Sequence, residues 1–120
     1  MARWVRVVGA LLIIGVGVVH LEQYLDFIKD VPTIGVLFLL NSFGAGAICL
    51  MLAGPLRLPG ALGGILLSLG SLVSIAVARY ADRGLFDYRE PTWRTPIIIA
   101  VALEVLAVIV LAVTLRLKSD

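Results

Sequence analysis

Of 120 residues, 61% are hydrophobic and 15% are charged, and the formal net charge is only +2. With a mean hydropathy of +1.08, this composition lies outside the range of a soluble domain and marks an integral membrane protein. It leaves no soluble surface for nucleic acid, and a single cysteine, Cys49, cannot supply the thiol pair of a disulfide-exchange enzyme.

The first apolar run, Val5 to Leu25, follows the basic residues Arg3 and Arg6. It is longer than a signal-peptide core and passes through His20, Glu22 and Tyr24 without a small-x-small cleavage pattern, so a retained helix is expected. A short link, Lys29 to Thr33, places Pro32 to open the second helix at or near its first turn. The second run, Ile34 to Ala53, carries Asn41 and Cys49, and the mid-span position of the cysteine argues against lipidation. Leu56 to Pro59, bracketed by Gly54, Pro55 and Gly60, reads as a hairpin to the third run, Gly60 to Ala78. The only substantial loop, Arg79 to Thr95, mixes charges with Leu85, Phe86, Tyr88 and Trp93; it suits the headgroup region or a fold over the mouth of the helices. The fourth run is Pro96 to Leu115. Each run approaches the roughly 20 residues that cross a hydrocarbon core. The expected fold is all-α: a polytopic membrane protein forming one antiparallel four-transmembrane-helix bundle.

Both termini then share a side. Arg3, Arg6, Arg57, Arg116 and Lys118 lie there, and the positive-inside rule places the termini in the cytoplasm. Lys29, Arg79, Arg83, Arg89 and Arg94 on the opposite side even the count, offset by acidic neighbours to which that rule gives little weight. Trp4 at one end and Tyr24, Tyr80 and Trp93 at the other form two aromatic belts.

An ionisable residue at membrane depth is a functional-site hypothesis whose partner should be sought elsewhere in the chain. Glu104 is the one ionisable residue between Arg94 and Arg116. At the helical rise it lies about 12 Å below the outer end of its helix, with Asn41 about 10 Å, Ser74 about 8 Å and His20 about 6 Å below theirs. All four helices thus place a polar group in the outer half, whereas the inner half is almost purely aliphatic. Each polar group shares a stripe with small residues: Ala100 and Ala107 for Glu104, Gly44 and Ala45 for Asn41, Gly17 for His20, Gly70 and Ala78 for Ser74. The third helix carries two such stripes, Gly60, Gly64, Ser68 and Ser71 beside Gly63, Gly70, Ser74 and Ala78, and is expected to be the central packing partner. A ligand-binding cluster of His20, Asn41, Ser74, Arg79 and Glu104 follows. The structural alternatives are a protonated Glu104 donating to a neighbouring helix's carbonyl, Asn41 as interhelical glue, and Arg79 snorkelling to the surface rather than reaching inward to Glu104 or Glu22.

One histidine excludes bis-histidine haem ligation, and a closed zinc site would have only carboxylates to join it. No motif marks a catalytic residue or metal centre, so a non-enzymatic role is favoured. Arg6-Val-Val-Gly9 with Gly17-Val-Val-His20-Leu21 resembles the opening helix of DoxX-like small membrane proteins. Pro32-Thr-Ile-Gly-Val-Leu-Phe-Leu-Leu-Asn41, Gly84-Leu-Phe-Asp-Tyr-Arg-Glu90 and Glu104 are similar to a pattern in uncharacterised four-helix membrane proteins of actinobacterial type. These resemblances imply a bacterial plasma membrane and, through DoxX, association with quinone-coupled oxidoreductase systems; no catalytic assignment comes with them. Three roles follow: an accessory or structural subunit of a membrane complex, plausibly respiratory, with protein partners or copies of itself; a binding protein for a quinone, lipid or other small amphiphile; and a proton or ion pathway, least favoured because the inner half continues no polar chain.

Overall fold

A computed structural model describes residues 2–26, 28–90 and 92–117. Among them lie four α-helices, α1 (Ala2–Asp26), α2 (Ile34–Ala53), α3 (Arg57–Tyr80) and α4 (Thr95–Leu117), with a 3-10 turn at Ile28–Asp30. Each α-helix is long and apolar enough to cross a membrane. At 1.5 Å per residue they are about 30–37 Å long, matching a hydrocarbon core of about 30 Å. Lys118, counted above with the terminal charges, lies outside the described residues.

The helix boundaries have local causes. The link between α2 and α3 is shorter than expected, because α3 starts at Arg57. Pro59 sits inside its first turn, where the missing N–H has no intrahelical partner to lose. Pro32 instead precedes its helix: the Ile34 N–H donates to the Pro32 carbonyl at 2.7 Å across Thr33, whose φ of 68° and ψ of −49° make a γ-turn. Positive φ at a β-branched residue is strained. The turn is held by close packing, since a Cβ on Gly35 would lie 2.8 Å from the Ile28 carbonyl oxygen and 3.0 Å from that of Lys29. Only glycine lets the first turn of α2 rest on the preceding backbone.

α1 lies against α2 and α4, and α3 completes the ring by contacting α4 and α2. α1, rather than the glycine-rich α3, makes the most extensive contacts, and the α2–α3 seam is the least packed of the four. The first small-residue stripe of α3 does pack: Gly60, Gly64 and Ser68 are buried. The second opens instead on that loose seam, where Gly70 and Ser74 border a cleft. Toward the end carrying the termini, Ile13, Ala45, Ile48, Leu52, Ala61, Ala107 and Leu111 form one apolar core. Leu111 is wedged between two helices there, since a Cβ on Gly9 would come within 2.6 Å of its Cδ2 and one on Gly64 would collide with its Cδ1. Polar groups in this half turn onto nearby backbone: the Cys49 thiol faces the Ala10 carbonyl at 3.4 Å, and Thr114 donates to Val110 within its own helix.

The outward faces are apolar. Leu50 is 78% exposed and Leu11, Val36, Leu66 and Ile109 are similarly bare. A surface of that extent suits lipid contact and would be a liability in water.

Candidate functional site

The polar residues gather where the C-terminal ends of α1 and α3 meet the N-terminal ends of α2 and α4. His20 is fixed by its own helix: Nδ1 lies 2.8 Å from the Val16 carbonyl. A carbonyl only accepts, so the proton sits on Nδ1 and Nε2 of the neutral ring is an acceptor, which the Ser71 hydroxyl meets at 3.2 Å. Phe38 packs beside the ring, centroid to centroid 4.9 Å.

Glu104 Oε2 lies 3.9 Å from His20 Nε2. The sequence placed these residues at unequal depths, yet they meet, because helical side chains lean toward the N-terminus. α1 has its N-terminus at the far end and α4 at this one, so His20 leans inward and Glu104 leans back toward the loop. Glu104 is fully buried, and neither of its oxygens has a hydrogen-bond partner. The carbonyl acceptor of the interhelical-tie reading is therefore not bonded. Ser71 stands close enough to Glu104 to interact with it, but outside hydrogen-bond geometry. At 3.9 Å the His20–Glu104 pair also lacks a hydrogen bond, and a buried ion pair without one does not offset the desolvation of its charges. The geometry thus suits two neutral groups side by side.

His20 forms part of the wall of a cleft of about 410 Å³ between α2 and α3, together with Asn41, Ser71 and Ser74. Asn41 is only 9% exposed, and its Oδ1 has no partner. Ser74 donates to the Gly70 carbonyl at 2.8 Å. Leu40 and Leu66 border the cleft and are exposed on the outer face, so it opens sideways between the helices. Glu104 is not on the wall; it stands one layer behind His20.

The loop between α3 and α4 closes the mouth, one of the two placements its sequence suited. Its tip is a tight turn in which Leu85 and Tyr88 exchange backbone hydrogen bonds at 2.8 Å, with Gly84 at φ 71°. The buried Glu90 then anchors it: Arg94 Nε donates to Oε1 at 2.5 Å, the Tyr88 hydroxyl donates to Oε2, and the Glu90 N–H donates to the Ala78 carbonyl at 3.0 Å. Arg94 Nη1 also donates to Gln23 Oε1 at 2.7 Å, strapping the loop to α1. Arg79 belongs to this strap and not to the cleft. Its Nη1 donates to the Glu90 carbonyl at 3.1 Å, and its guanidinium lies 5.2 Å over Trp93 and 5.8 Å over Tyr80. It reaches neither Glu104 nor Glu22.

Of the five residues expected to converge, His20, Asn41 and Ser74 share the wall, Glu104 backs it and Arg79 is turned away. Gln23, Ser71, Tyr88, Glu90 and Arg94 complete the site. Two of these carried a signal: Gln23 lies three residues from His20 and so on the same face of α1, and Ser71 lies on a marked stripe of α3. The loop residues carried none, because their contacts depend on how the loop folds back.

Burial, followed by the bond to Glu90, pushes the Tyr88 hydroxyl up from 10.0 to about 12. A folded value above the unfolded one favours the folded state while the phenol stays protonated. The contribution is intact below pH 10 and is lost as pH rises toward 12. Ultraviolet absorbance titration should show a late ionisation that is absent in Tyr88→Phe; a Tyr88 that ionises near 10.0 would show that the strap does not hold.

No protein-family model matches the chain, and no curated protein and no solved structure matches it either.

Proposed function

We propose that the chain is an antiparallel four-helix transmembrane bundle of a bacterial plasma membrane, with cytoplasmic termini, and that it binds a small amphiphile such as a quinone or lipid. The observation that carries this reading is the cleft itself, about 410 Å³ lined largely by apolar side chains with the polar residues Asn41, Ser71 and Ser74 among them. The cleft's volume falls within the roughly 300–1,000 Å³ of small-molecule sites, which are characteristically apolar with a few placed polar groups. Its lateral opening past Leu40 and Leu66 would face lipid, so an occupant enters from the bilayer while the strap of Gln23, Glu90 and Arg94 covers the water side.

Gly70→Leu tests this cleanly. Gly70 borders the cleft, and a Cβ there meets nothing within 4 Å, so the backbone accepts a side chain that can occupy the space. Replacing a mid-helix glycine also favours the helix by up to about 1 kcal/mol. The variant is expected to be at least as stable as the parent and to lose the lipid or quinone that mass spectrometry finds in organic extracts of the protein purified in mild detergent. Equal retention by both proteins would overturn the reading. Stoichiometric protein partners with no retained small molecule would establish the accessory-subunit role in its place.

A further inference from the structure

Resting on that reading, we infer that the occupant presents an uncharged carbonyl head to the amide N–H groups of Gln23 and Asn41, with its apolar body running out between α2 and α3. Gln23 is only 4% exposed and lies on the cleft wall. Its orientation is fixed, because Arg94 Nη1 donates to Oε1 at 2.7 Å and the oxygen is the only end of an amide that accepts. Nε2 is therefore the end left over; it is open to the cleft and donates to no partner among the described residues. Asn41, on α2, has the same polarity: Oδ1 is shut off from the cleft, whereas Nδ2 is accessible and unbonded. Side chains on α1 lean toward its N-terminus at the far end and those on α2 toward theirs at this end, so Gln23, nearer the mouth, and Asn41, deeper, lean toward one level.

The hydroxyl and imidazole protons of the wall are already spent. His20 Nδ1 is bonded to Val16, the Ser71 and Ser74 hydroxyls donate to His20 Nε2 and the Gly70 carbonyl, and the Tyr88 hydroxyl donates to Glu90. The two amides instead hold N–H groups that only an occupant or water can meet, and a donor left unmet in an apolar cleft is costly. A carbonyl oxygen has two lone pairs, enough to accept one N–H from each amide, and it brings no proton that needs a partner. A hydroxyl head does bring one, and the Asn41 oxygen that would suit it is turned away from the cleft. Charge of either sign is disfavoured, because Glu90 and Arg94 neutralise each other at the mouth and both oxygens of Glu90 are engaged. Since Gln23 is bonded to the strap, the head lies beneath it and the body points to the lateral opening past Leu40 and Leu66.

Native mass spectrometry of the detergent-solubilised protein, titrated with methyl decyl ketone and with the alkene in which C=CH2 replaces its C=O, tests the proposal. The two probes share one shape and differ in the acceptor. With probe concentrations expressed as mole fractions in the micelle, partition into detergent does not enter the comparison, and the ketone should bind at least about tenfold more tightly. Gln23→Glu keeps an oxygen for Arg94 but removes one NH2 group, and Asn41→Leu removes the other; each should lower the ratio, and the two together should bring it close to one. Methyl laurate matching the ketone would place the natural occupant among acyl esters such as lipids; decyl-para-benzoquinone binding more tightly than both would place it among quinones. Methyl decyl carbinol binding more tightly than the ketone would overturn the carbonyl head, and laurate binding more tightly than methyl laurate would overturn its neutrality. Ketone and alkene bound equally by the parent protein, and both excluded by Gly70→Leu, would overturn the acceptor head and leave the cleft standing. Probes bound equally by the parent and by Gly70→Leu would overturn the cleft itself. The parent ratio decides the matter even if neither amide variant folds.

Discussion

Replacing Glu104 with leucine is expected to stabilise the protein. The carboxyl group is fully buried with neither oxygen hydrogen-bonded, and its nearest polar contact is His20 at 3.9 Å. Leaving a buried polar group unsatisfied costs about 1–3 kcal/mol by the measure of protein mutations, and about 2–7 kcal/mol across transfer reference states. When the helices separate, Glu104 can reach water or other partners, so the unfavourable contribution belongs to the folded state. A gain of about 1–2 kcal/mol is expected for Glu104→Leu, at the lower end of those ranges because leucine fills the site imperfectly. Detergent-denaturation midpoints measure it. A loss of similar size would show instead that the carboxyl ties helices together. Glu104→Gln keeps the shape and a buried amide, and should fall between leucine and the parent.

Much of this architecture is legible in the sequence, because for helices long and apolar enough to cross a membrane the constraint is simple. Every backbone group must be satisfied within its own segment, so an apolar run of sufficient length is a helix. The runs ending at Ala53 and beginning at Ile34 coincide with α2 to the residue. The depths of His20, Asn41, Ser74 and Glu104 followed from rise per residue, and three of the four do share one wall. What the runs could not supply was the packing between them. Small-residue stripes mark where helices can approach closely, not where they do, and the same pattern on α3 gives a tight contact at Gly64 and open space at Gly70. Arg79 was expected either to snorkel outward or to reach inward to Glu104 or Glu22, but the loop offered it the Glu90 carbonyl and two aromatic faces. That competition is decided by how the loop segments 81–90 and 92–94 fold back, which no periodicity encodes.

Leu111→Ala is expected to be the most destabilising single truncation, at about 2–5 kcal/mol, because it removes a fully buried side chain that its glycine neighbours cannot move in to replace. In lipid there is no gain from hiding apolar surface from water, so helix association depends on dispersion contacts between closely fitted surfaces. Leu111 concentrates those contacts by lying against both Gly9 on α1 and Gly64 on α3. Gly64→Val should therefore also destabilise, by about 1–3 kcal/mol, since a leucine backed by Gly9 has no free direction in which to retreat. The two changes are in contact and should not add: the smaller alanine makes room for the valine, so the double variant should be more stable than the sum of single losses implies. Strict additivity in a detergent-denaturation cycle would show that Leu111 does not fill that space. The binding experiments supply the other half of the argument. Gly64→Val is expected to weaken the fold yet leave ligand retention unchanged, whereas Gly70→Leu, on the same helix, should remove the ligand and leave the fold intact. One helix then holds the protein together at the end bearing the termini and holds a cleft open at the other, and the two glycines separate the tasks.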